Sequence, residues 1–367
     1  MSILLDSFFE PSASGHGGNH RSAQILELIE RSQLAVTRLN RQLLNNARDR
    51  YLAGIGSILN PQTAGFLLKH QIQVQPSFKS IAFCGFQRQL YDQALAQHSG
   101  CKLLVWEATK NYVAPFVAKD QNFKVIAIPQ NLESFVPDAF HESLSTEIQA
   151  LAKADIVFCI SREEEWLLRL HGANAHYLPY YPPHAIEQHL LTIRRDRAPK
   201  NRYLILGSAS NPPTRQGMIE QIHWLKQIRQ HLSFEVDIVG YKTESLQEYC
   251  DETFVLHGTV SDNQLTTILT QTKTALIHQT ASSGALTRIP ELLTAGIPVV
   301  ANGNACRSAH SYSGIYCYDD LFELLDRLNQ PLDPAPMLPR PVTAEKRFID
   351  AVQHLSQSSP NATIASL

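Results

Sequence analysis

At 367 residues the chain is long enough for two domains with cores of their own. Apolar residues make up 44% and charged residues 18%, so the chain reads as globular rather than disordered. A formal net charge of −2 gives no bulk attraction to nucleic acid or to an anionic membrane.

The first segment, Ile3 to Phe9, reads as an apolar strand. It lacks the basic region of a signal peptide. It runs into PSASGHGGNHRSA, whose Gly15, His16, Gly17, Gly18 and His20 precede the helical SAQILELIERSQ. Strand, glycine-rich loop and helix open a Rossmann-like unit, here without a G-x-G-x-x-G fingerprint or a P-loop Lys. Such a loop is expected at the carboxyl end of its strand, where parallel sheets bind ligands. Residues 31 to 75 read as mostly helical, with Arg38, Arg41, Arg48 and Arg50 on solvated faces.

KSIAFCGF (79–86), CKLLVWEA (101–108) and FKVIAIPQN (123–131) each read as a buried strand with a polar tip. Their alternation with helical sequence predicts a parallel, doubly wound sheet. Glu107 and the run Gln130-Asn131-Leu132-Glu133 then fall at the functional edge of that sheet. Ser143 to Lys153 reads as a helix. Residues 154–172 read as strand, Ser cap and helix, with Glu163, Glu164 and Glu165 in the first turn, where negative charge is favoured. A Pro-rich exit (176–184) leads to the charged IRRDRAPKNR (193–202), read as an interdomain linker.

YLILGS (203–208), ASNPPTRQG and a following helix repeat the strand–loop–helix opening. FEVDIVGY (234–241) and Thr274 to His278 are further strands. Between them and the last helix, VTAEKRFIDAVQHL (342–355), the most informative stretch is SSGALTRIPELLTAGIPVVAN (282–302). Gly284 opens it. A helical segment carries Arg288 and Glu291, three residues apart and so on one face. Gly296 and Pro298 end the helix before a buried strand. A guanidinium suits phosphates and a carboxylate suits ribose hydroxyls. The alternative is an ordinary surface ion pair. The six Cys (84, 101, 159, 250, 306, 317) form no CxxC and sit mostly in apolar contexts, as core thiols in a reducing compartment do. No apolar run is long enough for a membrane span. A cytoplasmic protein is expected, with peripheral membrane contact left open.

Gly-x3-Arg-x2-Glu followed by Ala-Gly-Ile-Pro-Val-Val resembles the donor-site signature of glycosyltransferases with the GT-B fold, close to family 4 (glycosyl transferases group 1). Gly258, Val260 and Asp262 match a further element of that family, and IPQNLESF is similar to its HN-x-E-S element. The resemblance implies an α/β GT-B fold, two Rossmann-like domains facing an interdomain cleft. Residues 1–192 would be the acceptor-side domain, 193–202 the linker and 203–340 the donor domain. Residues 341–355 would be a helix packing back on the first domain, and 356–367 a disordered tail. The implied activity is transfer of a hexose-like sugar from a nucleotide-sugar donor to a sugar, lipid or protein acceptor, with retention and no cofactor.

By that resemblance Ser208, Arg215, His278, Ser283, Gly284, Arg288 and Glu291 face the donor. His16, Gly17, Gly18, Glu107 and Asn131 face the acceptor, and Arg288, Gln130 and Glu133 take part in the chemistry. No Asp-x-Asp motif is present, so no metal is expected and Arg288 would meet the phosphates. The sequence departs from the family at two positions. Ser283 stands where many members carry a first Glu, and Gln130 stands where several carry His. A Gln cannot act as a general base. A catalytically degenerate GT-B-like binding or scaffold protein, or a nucleotide-sugar epimerase, remains as an alternative.

Overall fold

The computed structural model describes residues 2–39, 47–72, 78–108, 112–136 and 143–357. The chain begins with β1 (Ser2–Asp6), α1 (Gly17–Glu30), β2 (Ala35–Arg38), α2 (Ala47–Ile58), α3 (Pro61–His70) and α4 (Phe78–Ala96). It continues through β3 (Leu103–Trp106), α5 (Ala114–Asp120), β4 (Lys124–Ala127), a 3-10 turn (Glu133–Phe135), α6 (Leu144–Lys153), β5 (Ile156–Cys159), α7 (Arg162–Leu170) and β6 (Ala175–Tyr177). Then come α8 (His184–Arg195), β7 (Arg202–Leu206), α9 (Pro212–Ile228), β8 (Glu235–Val239), β9 (Phe254–Gly258), α10 (Asp262–Gln271) and β10 (Thr274–Ile277). The last elements are α11 (Arg288–Thr294), β11 (Val299–Asn302), α12 (Gly303–Cys306), β12 (Ile315–Tyr318), α13 (Leu321–Asn329) and α14 (Val342–Gln357).

Two units result. One comprises Met1–Pro179 with Pro341–Leu367, the other Tyr180–Arg340. The first holds a six-stranded sheet in the order β2-β1-β3-β4-β5-β6, the second one in the order β12-β11-β10-β7-β8-β9. Every strand pair is parallel. Side chains alternate across each strand, and both faces are covered. In β1, Ile3 and Leu5 join a core with Ile25 and Leu28 of α1 and with Phe348, Val352 and Leu355 of α14. Leu4 points the other way, into a core with Tyr91 of α4, Phe116 of α5 and Leu151 of α6. The second sheet repeats the device. Leu204 packs toward Ile289 and Leu293 of α11, and Tyr203 and Ile205 toward Ile222 of α9 and Leu324 of α13.

Two sequence expectations fail here. The apolar run at 79–86 is not a strand but lies in α4. It carries one β-branched residue, Ile81, and continues into QRQLYDQALA, which favours helix. It is apolar because it packs on α2, where a Cβ on Gly85 would fall 2.7 Å from Ser57 Cβ. The missing strand is β2, four residues (AVTR) within a stretch read as helical. It lies at the sheet edge, paired only with β1, so it has no long apolar signature.

The stretch 193–202 also differs from a free linker. It contains the end of α8 and the first residue of β7. Arg194 donates to the carbonyls of Leu293 and Thr294 at the end of α11 and to those of Ala335 and Pro336. Tyr180 to Arg195 therefore belong to the second unit. Of the basic run, Arg41 lies outside the described residues, as does the tail from residue 358.

Candidate functional site

A doubly wound sheet has a switch point, where the strand order reverses and two neighbouring loops diverge to leave room at the carboxyl edge. In the second unit it lies between β7 and β10. The residues there are Gly207 and Ser208 after β7, and His278 and Gln279 after β10. Arg288 opens α11 beside them. Its guanidinium lies against Gly207, where a Cβ would come within 2.9 Å of Arg288 Nη1. Arg288 Nη2 donates to Gln279 Oε1 at 3.3 Å, and Thr214 Oγ1 donates to the same oxygen at 3.2 Å. Gln279 itself is fixed by Asn302 at the end of β11. Asn302 Oδ1 accepts from Gln279 N, and Asn302 Nδ2 donates to Gln279 O, both at 3.0 Å.

Among the described residues no carboxylate lies within ion-pair distance of Arg288, and its Nε is buried without a partner. Burial pushes its pKa down to about 10, so it remains cationic at neutral pH. Close packing makes the arrangement possible. Gly217 lets α9 approach the chain leaving β10 so closely that a Cβ would sit 2.0 Å from the His278 carbonyl oxygen. The loop before Arg288 is held from behind. Arg307 donates to the carbonyls of Ser282 and Gly284, and Ser308 Oγ donates to Gly284 O at 3.0 Å. One turn on, Glu291 Oε1 accepts from Tyr180 OH at 2.6 Å.

The other expected donor-side residues divide. Ser208 Oγ lies 2.7 Å from Ser210 Oγ in the loop after β7. Arg215 sits in the first turn of α9, its backbone N–H bonded to Asn211 O. Ser283 is half-buried in the loop. His278 is committed within the protein. Its Nδ1 lies 2.9 Å from Tyr318 OH and its Nε2 3.2 Å from Glu220 Oε2. Burial lowers its pKa despite the nearby Glu220.

In the first unit the switch point lies between β1 and β3. Glu107 follows β3 there, only 2% exposed. Ser22 Oγ of α1 donates to Glu107 Oε2 at 2.5 Å and Gln130 Nε2 donates to it at 3.2 Å. Burial outweighs these bonds and pushes the Glu107 carboxyl up to about 7, with Asp6 adding repulsion. Asp6 Oδ2 in turn accepts from Tyr91 OH. The turn after β4 is built by two carboxylates. Glu164 Oε1 accepts from Leu132 N, and Glu147 accepts from the backbone N–H groups of Glu133 and Ser134. Glu133 is buried in that turn, and Asn131 Oδ1 is buried without a hydrogen bond among the described residues. His16 caps α1, its Nδ1 accepting from Gly18 N at 3.1 Å, with Gly17 and Gly18 in the first turn.

The expected residues thus gather at two carboxyl edges, one in each unit. Sequence reasoning missed the parts that hold them. Gln279, Thr214 and Asn302 lie on three separate segments, joined only once β10 is known to pair with both β7 and β11. Ser22 and Glu147 read as ordinary helix residues. No group of three or more His, Cys, Asp or Glu that could hold a metal occurs among the described residues. Among them, no helix is long and apolar enough to cross a membrane.

No protein-family model matches the chain, and no curated protein sequence matches it. Solved structures do. Sucrose-phosphate synthase from Thermosynechococcus elongatus is similar over 97% of this chain and 94% of its own, at 14% identity and a TM-score of 0.59. A UDP-forming trehalose-phosphate synthase from Burkholderia xenovorans is similar over 98% and 95%, at 12% identity and a TM-score of 0.60. The fold is GT-B. A UDP-GlcNAc 2-epimerase from Methanocaldococcus jannaschii shares it over 96% of this chain and 99% of its own, at 10% identity and a TM-score of 0.55. At such identities the likeness speaks for the fold alone: α/β, with two Rossmann-like domains.

Proposed function

We propose that this protein is a glycosyltransferase that moves a sugar from a nucleotide-sugar donor to an acceptor hydroxyl. The observation that carries this reading is Arg288, a desolvated guanidinium at the second unit's switch point with no carboxylate partner among the described residues. A buried cation held this way is stabilised by an incoming anion, and a diphosphate supplies one. In the reaction the bond between the donor's anomeric carbon and the β-phosphate oxygen breaks. The electron pair stays on the departing diphosphate, where Arg288 stabilises the growing charge. The acceptor oxygen bonds to the anomeric carbon on the face the diphosphate leaves and passes its proton to the departing phosphate oxygen, with retention of configuration. Glu291, oriented by Tyr180, binds the ribose hydroxyls. Uridine diphosphate is the first nucleotide to test, since two similar structures are a UDP-forming synthase and a UDP-GlcNAc epimerase.

The second reading is a nucleotide-sugar-binding protein that catalyses no transfer. It is favoured by the Gln130 amide, which bonds to Glu107 and Ser22. Thermal unfolding with UDP, GDP, ADP and CDP, with and without EDTA, tests the shared premise. One diphosphate should stabilise the protein by roughly 2.7 kcal/mol at 100 times its dissociation constant, and EDTA should not remove the effect. No shift at millimolar concentration with any of the four would sink both readings. Slow release of free sugar and nucleoside diphosphate from the matching donor separates them, because a pure binding protein releases neither.

A further inference from the structure

Six free cysteines are described, and two of them meet. Cys306 ends α12, and Cys317 lies in β12, paired in register with Ala301 of β11. Their sulfurs are 2.9 Å apart. Cys317 is exposed and Cys306 is buried. The next two residues after Cys306 are Arg307 and Ser308, whose side chains hold the carbonyls of Ser282 and Gly284 in the loop before Arg288. The residue after Cys317 is Tyr318, whose hydroxyl meets His278 at the end of β10. The thiol pair therefore sits at the root of both supports of the second unit's carboxyl edge.

We propose that Cys306 and Cys317 form a reversible disulfide by exchange with a low-molecular-weight disulfide, and that its closure loosens the 282–284 loop. The two sulfurs need to contract by less than 1 Å to reach a bonding distance of about 2.05 Å. That contraction pulls on the backbone next to Arg307, and hydrogen bonds weaken steeply with displacement of this size. The chemistry has a fixed order. Exposed Cys317 attacks as its thiolate and breaks the incoming disulfide, releasing one small thiolate. Burial, and then Cys317 itself, push the Cys306 thiol up to about 12, so Cys306 resolves rather than initiates. It gives its proton to solvent, attacks the Cys317 sulfur and releases the second small thiolate. Two protein thiols are oxidised, and one small disulfide is reduced to two thiols.

Glutathione disulfide is the probe. Incubation should yield a full-length chain two hydrogens lighter by intact mass, with Cys306 and Cys317 protected from alkylation and restored by dithiothreitol. Amide hydrogen exchange of residues 282–288 should accelerate several-fold in the oxidised protein and return on reduction. Cys317→Ser should not react at this pair. Cys306→Ser should stop at a glutathione adduct on Cys317 and keep the slow exchange of the reduced chain. UDP affinity should fall several-fold in the oxidised state, a consequence that rests on the donor reading. If the reduced protein fails to bind UDP, that reading falls while the mass and exchange results still decide the disulfide. A wild-type chain that stops at the adduct, or a closed disulfide with unchanged exchange at 282–288, would overturn the proposal.

Discussion

Glu107 and Arg288 occupy equivalent places, each at the switch point of its own parallel sheet, and burial is the largest influence on both, with net shifts of similar size. The net effect raises Glu107 from 4.5 to about 7 and lowers Arg288 from 12.5 to about 10. The outcomes differ because the two charges have different escapes. Near neutral pH Glu107 sheds its cost by taking up a proton, and Ser22 and Gln130 already bond it. Arg288 cannot lose its proton at any ordinary pH, and among the described residues its side chain has one acceptor, the neutral Gln279 amide. The first edge holds a buried charge that can neutralise itself. The second holds a cation that cannot, and on the proposed function that contrast puts the donor phosphates at the second unit.

The comparison breaks most visibly at Arg288. Arg288→Ala should lower turnover on the order of 10²-fold or more, because its charge matters most as the diphosphate departs. The ligand-free variant should melt no lower than wild type, since a desolvated cation has been removed. Steady-state kinetics with unfolding curves on the same preparation check both. A lower melting temperature with intact turnover would mark Arg288 as structural.

Glu107 should show itself in pH rather than in turnover. Its folded pKa lies above its unfolded one, so its contribution to stability is complete below about pH 4.5 and lost as pH rises through about 7. The stability of wild type relative to Glu107→Gln should therefore fall by roughly 3 kcal/mol across that window. Parallel denaturant curves from pH 4.5 to 7.5 measure it. A difference that does not change with pH would mean that Glu107 ionises as a solvated carboxylate does.

Glu291→Ala sharpens the second edge. Ribose hydroxyls do not change during transfer, so losing their partner should raise the donor KM about ten- to hundredfold, matching roughly 1.5–3 kcal/mol. Turnover should change little, and equal losses in both constants would remove the ribose role. The smallest effect is expected at the first edge. Asn131→Ala should weaken transfer a few-fold and leave UDP affinity, measured by calorimetry, unchanged. A matching loss of UDP affinity would place Asn131 with the donor.

Much of this architecture is legible in the sequence because parallel strands buried on both faces are dense apolar runs. LLVW, KVIA, IVFC and VVAN are all strands where such runs were read. The run at 79–86 has the same composition and is helical, because two helices packed together bury apolar side chains as thoroughly as a sheet does. Arg288, Glu291 and Gly284 were candidates from sequence because they share one short segment. Gln279, Thr214 and Asn302 were not, because register alone brings them together. His278 is the converse case. A His at a strand end looks available for a ligand in sequence, and only the positions of Tyr318 and Glu220, 40 and 58 residues away, reveal it as engaged.

The return of α14 to the first unit has a consequence for synthesis. Phe348, Ala351, Val352 and Leu355 fill a core that also holds Ile3, Leu5 and Ile25. A ribosome delivers the opening strands more than 300 residues before that helix. Tyr180–Arg340 is continuous and has all its residues before α14 has been made. The half of the protein that begins first is therefore the half that finishes second. Until it does, one face of its sheet lacks a helix and exposes apolar surface, the state in which nascent chains aggregate and chaperones bind. A stop codon just after residue 340 would leave a whole second unit attached to an incomplete first one.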